Sequence, residues 1–150
     1  IMQSLPVTGA VVVSTPQEVA LADARKGVAM FMQEAINVPV LGVVENMAYF
    51  TPEELPDNKY YIFGKEGAQN LASDLKIPFL GEVPLVQSIR EAGDVGRPAA
   101  LQEEGPLKEA FEEITRNVVR ELVVRHTDLP PTEAIKITTM AGCSAVKPKK

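Results

Sequence analysis

Residues Val40-Leu-Gly-Val-Val44 form a short, apolar run rich in β-branched side chains, the composition of a strand covered on both faces. The run stops abruptly at Glu45-Asn46, which places Asn46 at the carboxyl end of the expected strand. In open α/β sheets that edge is where ligands bind. A carboxamide there offers a donor and an acceptor and can read the edge of a nucleobase. It can equally do no more than turn the chain. The local pattern recurs: Val38-Pro-Val-Leu-Gly-Val-Val44 and Ile77-Pro-Phe-Leu-Gly-Glu-Val83 both place an apolar residue, Pro, two apolar residues and Gly ahead of a strand end.

A third apolar run, Ala10-Val-Val-Val13, ends at Ser14-Thr15. Thr15-Pro-Gln-Glu18 then reads as a helix start, with Thr15 as cap, Pro16 in the first helical position and Glu18 completing a capping box. Val19, Ala20, Ala24, Val28, Phe31 and Met32 mark its apolar face. A second helix is expected at 65–75, with Ala68, Leu71, Ala72 and Leu75 on one side. A long last helix at 105–126 carries Leu107, Ala110, Phe111, Ile114, Val118 and Leu122. Glu103 and Glu104 before it, and Arg120 and Arg125 near its end, suit the helix dipole, and Pro130-Pro131 stops it. With strands at 10–14, 39–45 and 78–83, the alternation is that of a parallel α/β sheet with right-handed crossovers. Residues 1–127 are read as the folded part and 128–150 as a mobile tail, with a short edge strand conceivable at Ala134–Thr138.

At 150 residues, 45% hydrophobic and 23% charged, the chain is an ordinary globular sequence. The formal charge of −5 and the lack of a basic stripe argue against nucleic acid. Only Lys147, Lys149 and Lys150 make a basic end. No apolar run approaches a membrane span and no signal-peptide pattern opens the chain. The single cysteine, Cys143, excludes an internal disulfide and suits a reducing compartment, and the single His126 excludes a His-rich metal site. The opening Ile1-Met-Gln-Ser-Leu-Pro-Val-Thr-Gly9 reads like the middle of a protein, so an N-terminal portion is expected to precede it.

The three strand ends share one edge of a parallel sheet. That edge is neutral and polar, which suits a flat base better than a phosphate. A phosphate would need a Gly-rich or lysine-bearing loop, and Gly64-Lys65-Glu66-Gly67 has the wrong spacing and reads as a helix-start turn. No Ser-His-Asp or Cys-His arrangement can be assembled. His126 complements a helix end, and Asp23 and Lys26 read from the residues alone as a solvated helix face.

Pro6 to Gly27, Gly42-Val-Val-Glu-Asn-Met-Ala-Tyr-Phe50, Ile62-Phe-Gly-Lys-Glu-Gly67 and Leu80 to Pro98 together resemble the Mrp/ApbC family. These are P-loop ATPases related to MinD and the nitrogenase iron protein that act as iron–sulfur cluster carriers. The likeness runs in order over about residues 1–125. It implies the C-terminal half of a three-layer, parallel-sheet P-loop NTPase fold, with the Walker A loop and switch segments upstream, so that this piece is expected to be inactive alone. It implies ATP, with Mg in the parent protein, as the nucleotide. Asn46 matches the position that reads adenine, Val83, Pro84 and Leu85 match the backbone that closes over the base, and Asp23 matches a position that approaches nucleotide across a dimer. A homodimer, cytoplasmic work, and iron–sulfur scaffolds or apo-proteins as partners follow from the same likeness.

One departure stands out. The family usually carries a Cys-x-x-Cys pair after Asn-Met-x-x-Phe, and two subunits hold a bridging [4Fe–4S] cluster. Here Thr51 to Ile62 has no cysteine, and Glu53, Glu54 and Asp57 are hard donors that suit such a cluster poorly. Cys143 gives one thiol per chain, short of four, so no metal-ligating residue is assigned and no stable cluster is expected. Two other functions stay open: a MinD/ParA-like positioning ATPase, or a non-catalytic interaction module. Glu109, Glu112, Glu113 and Glu121 on the last helix argue against an anionic membrane. With the family's first strands absent, the half-sheet is expected to expose an apolar edge and face and to associate with other chains.

Overall fold

The computed structural model describes residues 6–52, 54–55, 57–101 and 105–131. The elements run β1 Ala10–Ser14, α1 Glu18–Phe31, β2 Val40–Asn46, α2 Gly67–Leu75, β3 Phe79–Val83, α3 Gln87–Asp94, a 3-10 turn Ala99–Leu101, and α4 Pro106–Asp128. The strands form one sheet in the order β1-β2-β3, and both pairings are parallel, as the alternation of patterns requires. Consecutive side chains of β2 point to opposite faces. Val43 packs with Ala68 and Ala72 of α2, joined by Val12, Leu21, Ile77 and Phe79. Val44 packs with Leu80 and Val83, joined by Ile89, Leu107, Phe111, Ile114 and Val118. Helices α1 and α2 therefore cover one face and α4 the other, which gives three layers.

The repeated Leu-Gly dipeptide has a structural counterpart. Ala10 pairs with Val40 and Val11 with Gly42, which leaves Leu41 as an extra residue in β2. Val43 pairs with Phe79 and Val44 with Gly81, which leaves Leu80 extra in β3. Each strand thus carries a bulge closed by a glycine at positive φ, +152° at Gly42 and +140° at Gly81. A Cβ on Gly42 would stand 2.5 Å from the Pro78 carbonyl oxygen, and one on Gly81 would stand 2.8 Å from Ile114. The bulges let the strands and α4 approach as closely as they do.

Several expectations need correction. Helix α1 starts at Glu18, with Gln17 as an N-cap that makes no side-chain cap bond. Thr15 caps nothing, because its hydroxyl donates to Gln17 Oε1 at 3.2 Å. The Pro16 carbonyl packs instead against the start of α2, where a Cβ on Gly67 would stand 2.5 Å from it. Val19 and Met32 are 74% and 61% exposed, since the sheet-facing stripe of α1 runs through Ala24 and Val28. Helix α3 was not expected at all. Helix α4 runs through Asp128 and ends where Leu129 turns extended ahead of Pro130. Cys143, Ala134–Thr138, Glu53, Glu103, Glu104 and the terminal lysines lie outside the described residues.

Strand β1 has no outer partner among the described residues. Its Val11 and Val13 are 38% and 59% exposed, because the apolar side of α4 covers β2 and β3 instead. The expected apolar edge is present. The bulge geometry yields a paired prediction for chemical denaturation. Gly42→Ala should cost roughly 1–3 kcal/mol through backbone strain. Gly27→Ala, in a helix with open space around the added methyl, should gain about 0.5–1 kcal/mol. Equal effects at the two sites would contradict the bulge assignment.

Candidate functional site

The register sets the carboxyl ends of the three strands side by side: Ser14 against Glu45, Glu45 against Glu82, and Asn46 against Val83. Asn46 is half-buried, and its Oδ1 accepts the Met47 N–H at 3.0 Å. That bond supports the left-handed backbone of Met47, at φ 55°, so Asn46 does turn the chain. The turn uses one lone pair, and among the described residues nothing accepts from Nδ2, which leaves the carboxamide with a donor and an acceptor toward the edge.

The next two loops are laced together. The Ala48 N–H donates to the Val83 carbonyl at 3.0 Å, and the Leu85 N–H donates to the Tyr49 carbonyl at 2.7 Å. Val83 and Pro84 are buried and Leu85 is half-buried. The structure therefore brings Asn46 and the segment Val83–Leu85 into one unit. Asp23 is not part of it: it lies on the exposed side of α1, paired with Lys26 at 3.1 Å. A groove lined by Pro16, Leu21, Arg25, Phe63, Lys65 and Asp74 runs between α1 and α2 and excludes Asn46. Two of its lining cations are paired, Arg25 with Asp74 at 3.0 Å and Lys65 with Glu66 at 3.2 Å. The turn at Gly64–Gly67 opens α2 as expected, but two residues later than the pattern placed it.

Glu45 is the residue that sequence reasoning passed over. It is 2% exposed, among the most deeply buried side chains of the protein. Its Oε2 accepts the Ala68 N–H at 2.6 Å, so a strand residue caps α2, whose own Glu66 provides no side-chain cap. Burial pushes the Glu45 carboxyl above its ordinary value; the Ala68 and Gln69 N–H groups pull it back, and the charges of Glu82 and Glu66 add to the rise. The only sign in the sequence was an acid inside an apolar run.

The loop between β2 and α2 does not fit a thiolate-bound cluster. It contains no cysteine, and among the described residues no three His, Cys, Asp or Glu side chains group as metal ligands. Iron–sulfur clusters are held by thiolates, and the carboxylates of this loop do not replace them.

Comparison with known proteins supports the reading of the fold and the family. Residues 1–119 match the family model described as ParA: NUBPL iron-transfer P-loop NTPase. The iron–sulfur cluster transfer protein NUBPL of Dictyostelium discoideum is 43% identical over 127 residues, which are 84% of this chain and 38% of that protein. A solved nucleotide-binding protein from Archaeoglobus fulgidus, in complex with ADP, is 41% identical with a TM-score of 0.52, over 60% of this chain and 36% of that one. The cell division ATPase MinD of Pyrococcus furiosus shares the fold, with a TM-score of 0.55 at 24% identity over 75% of this chain and 43% of that one. The chain spans well under half the length of each protein named.

The Glu45 carboxyl predicts a pH dependence. Because its value in the folded state lies above the ordinary 4.5, the native protein holds this proton more tightly than the unfolded chain. The resulting stabilisation is complete below the ordinary value and is lost as pH rises through the raised one. Glu45→Gln keeps an oxygen for Ala68 and carries no charge. The denaturation midpoint of the parent should therefore fall relative to the variant across that window. Parallel pH profiles for the two proteins would contradict a buried, raised carboxyl.

Proposed function

The chain belongs to the ParA/NUBPL family of iron-transfer P-loop NTPases, and from that premise we propose that it supplies adenine recognition and dimer contacts to an ATP-binding iron–sulfur cluster carrier. The observation that carries the reading is the pairing of Asn46 with Val83 at the sheet's carboxyl edge. Adenine presents ring-nitrogen acceptors and an amino donor, and a carboxamide with a free donor and a remaining lone pair complements them. Val83, Pro84 and Leu85 supply an apolar wall whose backbone is held by the preceding loop. The ADP complex of the Archaeoglobus protein supports a nucleotide as ligand.

Phosphate and Mg binding would fall to a Walker-type loop elsewhere in the full-length protein, which would also supply the hydrolytic chemistry. Asp23, exposed on α1 with Lys26 as its ion-pair partner, is the position we assign to contact across a homodimer. The cluster is cargo for scaffold or apo-protein partners, and its ligands come from outside the described residues. One cysteine fits work in the reducing cytoplasm. A membrane-positioning role has less support. Among the described residues no helix is long and apolar enough to cross a membrane, and α4 exposes Glu109, Glu112 and Glu113 rather than a basic face.

The test is calorimetry on the full-length protein. Asn46→Ala should weaken ADP binding by about tenfold or more, as loss of a paired base contact does, and should erase any preference for ADP over GDP. Unchanged ADP affinity would remove the adenine role. A full-length sequence without a Gly-Lys-Gly-Gly-Val-Gly-Lys-Ser/Thr type loop would remove the ATPase.

A further inference from the structure

Lys59 stands at the centre of contacts that base reading does not explain. Its Nζ lies 3.7 Å from the centroid of the Tyr49 ring and 3.5 Å from Glu82 Oε1 on β3. Tyr49 meets Tyr61 edge-to-face, with centroids 6.5 Å apart. Phe50 and Tyr60 exchange two backbone hydrogen bonds of 2.8 Å each, a single antiparallel bridge. Lys65 lies 5.4 Å from the Tyr61 centroid. The two feet of the loop between β2 and α2 are thus drawn together by a backbone bridge and an edge-to-face ring contact, and tied to β3 by one ammonium group.

This is the stretch in which the family places its cysteine pair, and no thiolate is present in it. A metal would cross-link such a loop through its ligands. An ammonium held between a π face and a carboxylate makes a cross-link of the same topology with a single charge. Desolvation would lower the Lys59 amine, but Tyr49 and Glu82 outweigh it and hold the group above its ordinary value, so it stays charged at neutral pH.

We propose that Lys59 is a positioning residue that clasps this loop onto Glu82 without any metal, and so fixes Tyr49, whose carbonyl holds the Leu85 N–H beside the base site. The functional consequence rests on the reading of Asn46 and Val83–Leu85 as that site; the clasp does not. Both Lys59 and Glu82 are partly exposed, so replacing the lysine should loosen the loop and leave the core folded.

The experiment compares amide exchange at Phe50, Tyr60 and Leu85 in the full-length protein, its Lys59→Ala variant and its Lys59→Arg variant, each with and without a metal chelator. Exchange should rise roughly fivefold in Lys59→Ala, the scale of a partly exposed cation–π contact. It should return toward the parent in Lys59→Arg and ignore the chelator throughout. ADP should bind more weakly to Lys59→Ala. Unchanged exchange in Lys59→Ala, or a parent loop that loosens with chelator, would overturn the clasp. Looser exchange with unchanged ADP affinity would overturn its link to the base site. Failure of Asn46→Ala to affect ADP would sink the base reading alone, because the exchange measurement decides the clasp independently.

Discussion

Val43 and Val44 point to opposite faces of the central strand, and each anchors one half of the core. Everything else hangs from that strand, since among the described residues β2 alone is paired on both sides. Its bulge at Leu41-Gly42 sets the register against β1, and the matching bulge at Leu80-Gly81 sets it against β3. Register then decides the chemistry. A one-residue slip between β2 and β3 would turn the side chains of the slipped strand to the other face, and Asn46 would no longer stand beside Val83.

The edge produced in this way separates two kinds of polar residue. Glu45 faces inward under α2, where its carboxylate does the work of a helix cap from another element. Asn46, the next residue, is half-buried at the end of the strand and keeps part of its carboxamide available. One tethers the layers and the other is the residue proposed to meet a ligand. The loop that follows is bound back to β3 and the segment after it at three levels, through Ala48 to Val83, Tyr49 to Leu85, and Lys59 to Glu82. A ligand at this edge therefore meets a surface whose parts cannot move independently. That arrangement suits a base pocket completed by a phosphate-binding segment elsewhere in a longer protein.

The strands were legible in the sequence because β-branched runs bounded by Pro and Gly leave few alternatives, and the order of helices and strands made the sheet parallel. The position of Asn46 followed from where its run stopped. What stayed hidden depended on contacts between distant residues. Thr15-Pro16-Gln17-Glu18 has every local mark of a capping box, yet the Thr15 hydroxyl turns to Gln17 Oε1 and the helix starts at Glu18. Val19 fits a helical stripe, but one on the wrong side of α1. Glu45 becomes a cap only when α2 is laid over β2. Helix α3 is short and mostly polar, with Ala92 its one buried residue, so its pattern gives little signal. Tyr49 and Lys59 stand at opposite feet of one loop and Glu82 lies on β3, and nothing local marks them as neighbours.

The central claim is that the carboxyl ends of β2 and β3 form one unit that reads adenine. Amide nitrogen–proton correlation spectra of the full-length protein, titrated with ADP and separately with GDP, test it most directly. The account predicts that the Met47, Ala48, Val83 and Leu85 signals shift together along one saturating curve with ADP, and shift far less with GDP. Equal shifts with both nucleotides, or shifts that leave these four amides unmoved while ADP is bound, would contradict it.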